Sequence, residues 1–237
     1  MTTNLTANQL VDRFMESCSH DLRAPVASIK GLVNIAEHYP HTQEIDECLH
    51  MIYDSAEKME KMLRSFQEYL VTSHYIKKAV EANCEELIDS ILEPLQNTID
   101  RMGVKLTKKI DVTEPWRIDR YTFSLILKHL VSNAIAYQDL AKTSKEVSIY
   151  VLANHRCTIL QVSDNGVGIP KELQPKLFQP FFRGHESSSG LGMGLFQVDK
   201  LVEKAGGHLL FISNEKEGST FSVTIPVEEN TAHETEL

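Results

Sequence analysis

Residues 157–170, CTILQVSDNGVGIP, decide the fold, because a strand candidate from Cys157 to Ser163 runs straight into Asp164-Asn165-Gly166-Val167-Gly168-Ile169-Pro170. Taken alone, Asp-Asn-Gly is an ordinary turn, so the first implication is a sheet with a tight exit from one strand. Similar strand-like segments occur at Val104 to Ile110, Val147 to Ala153, His208 to Ser213 and Thr220 to Val227. Helical spacing separates them. Apolar Leu87, Ile88, Ile91, Leu92 and Leu95 mark one helix, Arg120 to about Gln138 a second with Asp119 placed to cap it, and Gly194 to Ala205 a third. Helices and strands mixed in this way predict an α/β sandwich.

Two further segments of this region carry chemical interest. Gly190-Leu191-Gly192-Met193-Gly194-Leu195 opens a helix after the polar loop from Gly184 to Ser189. Glycines ahead of a helix N-terminus let backbone N–H groups approach a phosphate, which the helix dipole also favours. A dinucleotide fingerprint would need glycine where Leu195 stands, and no GxxxxGK[ST] segment is present, so both common nucleotide motifs fail. In the helix from Phe123 to Tyr137, Asn133 runs beside the apolar face of Phe123, Leu127, Leu130 and Ala134. A hydrogen-bonded core asparagine accounts for it as well as a ligand does.

The first seventy-five residues differ in kind. They hold one glycine, Gly31, and two prolines, Pro25 and Pro40, while ten of the eleven glycines follow residue 100. Val11, Met15, Cys18, Leu22, Val26, Ile29, Val33 and Ala36 step by three and four, and Tyr39-Pro40 ends that helix. Ile45, Leu49, Ile52, Ala56, Met59, Leu63, Phe66 and Leu70 continue the spacing in coiled-coil fashion. A helical hairpin alone covers too little of two such stripes, so the spacing predicts a homodimer built as a four-helix bundle. Two successive steps of four, Cys18 to Leu22 to Val26, make a stutter with Pro25 inside it, and His20 falls on the side of the helix away from the core. The sequence thus divides into a hairpin over 1–75, a sandwich over 76–227 and a disordered acidic tail over 228–237.

Composition narrows the class. A net charge of −9 from 33 acidic and 24 basic residues disfavours binding to nucleic acid or anionic lipid. Four cysteines, at least thirty residues apart and without CxxC, suggest neither a disulfide framework nor a zinc knuckle, as suits a cytoplasmic location. No apolar run approaches the roughly 20 residues that span a bilayer.

Order and combination then point to a family. A helix with Asn133, a strand ending in Asp164-x-Gly-x-Gly, the segment Leu177-Phe178-Gln179-Pro180-Phe181-Phe182-Arg183, the Gly-x-Gly-x-Gly run and the strand opening Gly218-Ser219-Thr220-Phe221 resemble the ATP-binding (Bergerat-type) domain of sensor histidine kinases. Ser19-His20-Asp21-Leu22-Arg23-Ala24-Pro25 resembles their phosphoacceptor box. The two resemblances cover roughly residues 10 to 227 and imply an α+β chain, a dimeric helical bundle followed by the ATP-binding sandwich.

The resemblance implies roles residue by residue. His20 is the nucleophile that takes the γ-phosphoryl group of ATP, and Asp21 holds its tautomer and accepts a proton. Asp164 accepts a hydrogen bond from the adenine amino group, with Thr220 supporting that end and Gly166, Gly168 and Ile169 passing close to the base. Gly190, Leu191, Gly192 and Gly194 form a lid over the phosphates. Phe178 and Phe181 anchor the lid by packing, while Arg183 and Tyr137 lie at the nucleotide. Asn133 holds the Mg2+ ion that bridges the phosphates. The phosphoryl group then passes to an aspartate of a response regulator receiver domain.

Three positions depart from the family pattern. His129 and Ala136 stand where relatives carry an asparagine and a basic residue, which predicts slow autophosphorylation or, at the extreme, a phosphorelay adaptor with a degenerate ATP-binding domain. Ala24 replaces the threonine or asparagine that orients water for dephosphorylating a regulator, which predicts weak phosphatase activity. The kink at Pro25 is expected to help present His20 to the nucleotide.

Overall fold

The computed structural model describes residues 24–36, 42–112, 115–184 and 192–227. The chain separates into two compact units, one formed by the residues up to Ser73 with Pro180–Met193, the other by His74–Gln179 with the residues from Gly194 onward. His20, Asp21, Gly190, Leu191 and the tail over 228–237 lie outside the described residues.

In the first unit, helix α1 covers residues 24–36 and α2 covers Thr42–His74. The buried positions of α1 are Pro25 and Leu32, with Ile29 and Ala36 half-buried, whereas Val26 and Val33 are exposed. The expected stripe is therefore displaced by one residue in part of the helix. On α2 the inner positions include Ile45, Cys48, Ile52, Ser55, Met59, Tyr69 and Thr72, so Ile45, Ile52 and Met59 of the expected series turn inward while its other row, Leu49, Ala56, Leu63 and Leu70, faces outward. Leu49, Leu63 and Leu70 are 55%, 50% and 40% exposed. Both helices thus carry a second apolar row beside the buried one, wider than a hairpin alone can cover.

The second unit is a five-stranded mixed sheet with helices on one face. Its order is β2 (Val104–Val112), β4 (Lys145–Ala153), β5 (Cys157–Asp164), β7 (Gly218–Pro226) and β6 (His208–Asn214). The β2–β4 pair is parallel and the others antiparallel. Alternation sends Val147, Ile149, Val151, Leu160, Val162, Phe221 and Val223 to the covered face, where α3 (Cys84–Leu92), α5 (Arg120–Ala136) and α6 (Gly194–Lys204) contribute Ile88, Phe123, Leu127, Leu130, Val198 and Leu201. Pro94 divides the helix expected from Leu87 to Leu95, so that α3 passes through a 3-10 turn, Glu93–Leu95, into α4 (Gln96–Met102).

Helix α5 begins where the sequence indicates. The Asp119 side chain accepts from Thr122 N at 2.7 Å, from Lys78 N at 2.6 Å and from the Tyr75 hydroxyl at 2.8 Å. Burial alone would raise this carboxyl, but those hydrogen bonds outweigh it and hold it below the ordinary carboxylate range. Burial and the bond to Asp119 push the Tyr75 hydroxyl up to about 12. A two-stranded pair that the sequence does not announce, β1 (Ala79–Glu81) with β3 (Arg117–Asp119), brings the chain entering the unit beside this cap.

Candidate functional site

The end of the central strand β5 meets the C-terminal end of α5, and the candidate site is built at that junction. Asp164 is the last residue of β5, paired with Val147 on β4 and Ser219 on β7. Its Oδ1 accepts from Gly166 N at 2.8 Å, which closes a turn. Burial raises the carboxyl above its ordinary value, opposed by the Gly166 and Ser219 backbone N–H groups and by the charge of Lys142. A half-buried carboxylate held this way suits a ligand amino group that donates to it.

The turn after Asp164 passes so near its neighbours that two positions exclude any side chain. A Cβ on Gly166 would lie 2.1 Å from Tyr137 O. One on Gly168 would lie 1.9 Å from Asn214 O, and φ there is +68°. Val167 N donates to Tyr137 O at 3.0 Å and Lys216 N to Val167 O at 2.7 Å, so the turn is tied to the end of α5 and to the β6–β7 hairpin. Ile169 N donates to Ser213 Oγ at 2.9 Å, and Gln174 Nε2 donates to Ile169 O at 3.0 Å.

On α5, Asn133 is half-buried one turn before Tyr137, and its amide makes no hydrogen bond among the described residues. A half-buried amide that the fold leaves unpaired is open to water or to a ligand. His129, one turn earlier, sits with Nε2 2.8 Å from Oε1 of the buried Gln197 on α6. Gly194 starts α6 close by, where a Cβ would stand 3.3 Å from His129 Nδ1. Phe178 packs edge-on against Phe211 at 5.5 Å, and Phe211 stacks on Phe221 at 5.8 Å, so its anchoring role is a core contact.

Thr220 is not brought to this end. It lies on the opposite face of the sheet from Asp164, donating to Ser163 Oγ at 2.9 Å, because side chains alternate along β7. The residue beside Asp164 is Ser219, whose Oγ lies 2.9 Å from Ser213 Oγ. Phe181, Arg183 and Gly192 belong to the first compact unit, where Phe181 and Gly192 have positive φ of 64° and 72°. Sequence reasoning also missed Lys142, whose Nζ donates to the carbonyls of Asn165, Gly166 and Lys216. Its signal was absent because these partners are far away in sequence.

Residues 118–229 match the family described as histidine kinase-, DNA gyrase B-, and HSP90-like ATPase, and residues 10–69 match the His Kinase A (phospho-acceptor) domain. The chain belongs to the sensor histidine kinase family, as its catalytic core. It is 29% identical over 223 residues to the sensor histidine kinase AtsR of Burkholderia thailandensis, covering 91% of this chain and 37% of that protein. To the circadian input-output histidine kinase CikA of Synechococcus elongatus it is 30% identical, covering 93% of this chain and 30% of the relative. The chain therefore spans about a third of the length of these kinases. The solved complex of histidine kinase ThkA with response regulator protein TrrA contains a similar fold, with a TM-score of 0.69 and 23% identity over 90% of this chain and 61% of the other. No helix among the described residues is long and apolar enough to cross a membrane.

Proposed function

We propose that this chain binds ATP with Mg2+, transfers the γ-phosphoryl group to His20 within a homodimer, and passes it to an aspartate of a response regulator receiver domain. The observation that carries the reading is the Asp164 turn, a half-buried carboxylate with one oxygen fixed by Gly166 N–H and glycines where a base must pass close. Such a carboxylate accepts from an adenine amino group and rejects guanine, which presents a carbonyl there.

The half-buried Asn133 amide fits a hard cation, because Mg2+ takes one or two protein oxygens and fills its shell with phosphate and water. When bound, that ion would neutralise charge developing on the phosphates. Asn133 orients the triphosphate end, Asp164 the adenine end, and Gly194 at the start of α6 leaves room beside His129. His20 forms the P–N bond as the bond to the β-phosphate oxygen breaks, ADP leaves, and Asp21 takes the imidazole proton. These two residues rest on the family resemblance, and the phosphoacceptor family match over 10–69 supports them.

The exposed heptad on α2 supports the homodimer, since a second copy is what the family's bundle would lay upon it. The ThkA–TrrA complex supports a receiver domain as partner. Labelled ATP with Mg2+ provides the test. The reading expects acid-labile label that disappears in His20→Gln; absence of both label and ATP binding would instead mean a phosphorelay adaptor.

A further inference from the structure

We propose that Lys142 is a positioning residue for adenine recognition, its ammonium group clamping three backbone carbonyls and thereby fixing the turn that presents Asp164. The inference rests on the nucleotide reading of the Asp164 turn and adds a residue that neither the family resemblance nor the sequence pattern picks out.

The loop after α5 is held in place locally. Gln138 Nε2 donates to Ala134 O at 2.7 Å, and Asp139 accepts through its side chain from Ala141 N at 2.9 Å and through its carbonyl from Lys142 N at 3.1 Å. From that loop the half-buried Lys142 side chain reaches Asn165 O, Gly166 O at 3.4 Å and Lys216 O at 2.9 Å. An ammonium has three donors, and here all three go to carbonyl oxygens. None goes to a carboxylate, so this lysine does not form a surface ion pair. It joins three segments distant in sequence: the loop after α5, the turn leaving β5, and the β6–β7 hairpin. Asn165 adds a second brace, accepting from Glu146 N at 2.8 Å and donating to Ser144 O at 2.9 Å.

Without the clamp, carbonyls 165, 166 and 216 would lose their shared donor while Gly166 N remained bonded to Asp164. The turn would then fluctuate, and so would the carboxylate that must meet a planar base. Lys142 also acts by charge. The other charged groups nearby are Glu146 and Lys105, which line with Asp164 and Asn165 a cleft of about 240 Å3, and Glu215, Lys216 and Glu217 on the β6–β7 turn, all of them exposed. Lys142 is the one whose charge counters the burial of Asp164. It therefore keeps the carboxylate ionised further into the acid range.

The experiment measures ATP and ADP affinity of the full chain from pH 5 to 8 for wild type, Lys142→Met, Lys142→Gln and Asp164→Asn. Lys142→Met is expected to weaken both nucleotides by about tenfold at neutral pH, as loss of charge-assisted hydrogen bonds does. Its acid limb should move to higher pH, while the rate at saturating ATP stays within about twofold because nothing at the phosphate end changes. Lys142→Gln keeps two donors without the charge, so it should lose less affinity yet shift the acid limb equally, and it serves if Lys142→Met fails to fold. Wild-type affinity and an unmoved acid limb in both variants would overturn the role of Lys142. ATP binding by wild type that Asp164→Asn leaves unchanged would overturn the nucleotide reading itself.

Discussion

At the scale of single residues, the adenine amino group is a donor that the ionised Asp164 accepts more strongly than the protonated form does, yet the burial of Asp164 favours the protonated form. The sign follows directly. As pH falls through the raised carboxyl value, ATP affinity should fall with it, beginning above the roughly 3.9 of an ordinary aspartate. Calorimetric titration of ATP across that range checks this. Asp164→Asn, whose amide can present a donor to a donor, should weaken ATP at least about tenfold. Gly168→Ala should do as much damage through the backbone, because the new methyl would overlap Asn214 O. A loss of nucleotide binding together with a lowered melting temperature is its expected signature. The Asp164 side of the site is legible in the sequence because aspartate and glycines lie within five residues. The choice between Ser219 and Thr220 is not, since one residue of register decides which face a side chain occupies.

Among the elements, α5 carries the site and depends on its first turn. Asp119→Ala would remove the partner of Thr122 N, Lys78 N and the Tyr75 hydroxyl at once, and should cost about 2 kcal/mol or more, read as a fall in melting temperature. Since the folded-state value of Asp119 is depressed, its contribution is present above the unfolded value near 3.9 and is lost as pH falls through the folded one. Stability attributable to this residue should thus be flat through neutral pH and collapse in acid. The cap was readable from Asp119 ahead of an apolar period, and the strands from their alternation. The β1–β3 pair was hidden because three residues per strand hold no period, and the stripe of α1 was displaced because Pro25 and Leu32 bury while Val26 and Val33 do not. Pro25→Ala should change phosphorylation rate more than ATP affinity, as measured by single-turnover labelling.

For the whole molecule, the outward heptad of α2 makes assembly a testable consequence of sequence spacing. Leu63→Glu places a charge at an exposed apolar position, so the helix should keep its ellipticity while the sedimentation coefficient falls to that of a monomer. The division into two units has a further practical result. Trp116 is the chain's single tryptophan, 2% exposed in the core of the second unit, with its indole N–H donating to Thr158 Oγ1 at 2.9 Å and its ring edge-on to Phe123 at 5.2 Å. Its emission is consequently a private optical signal of the nucleotide unit, blue-shifted while that unit is folded and red-shifted when it opens. Ellipticity follows the helices of both units and tryptophan emission the nucleotide unit alone, so a loss of ellipticity without a shift in emission marks melting of the first unit in one unlabelled sample.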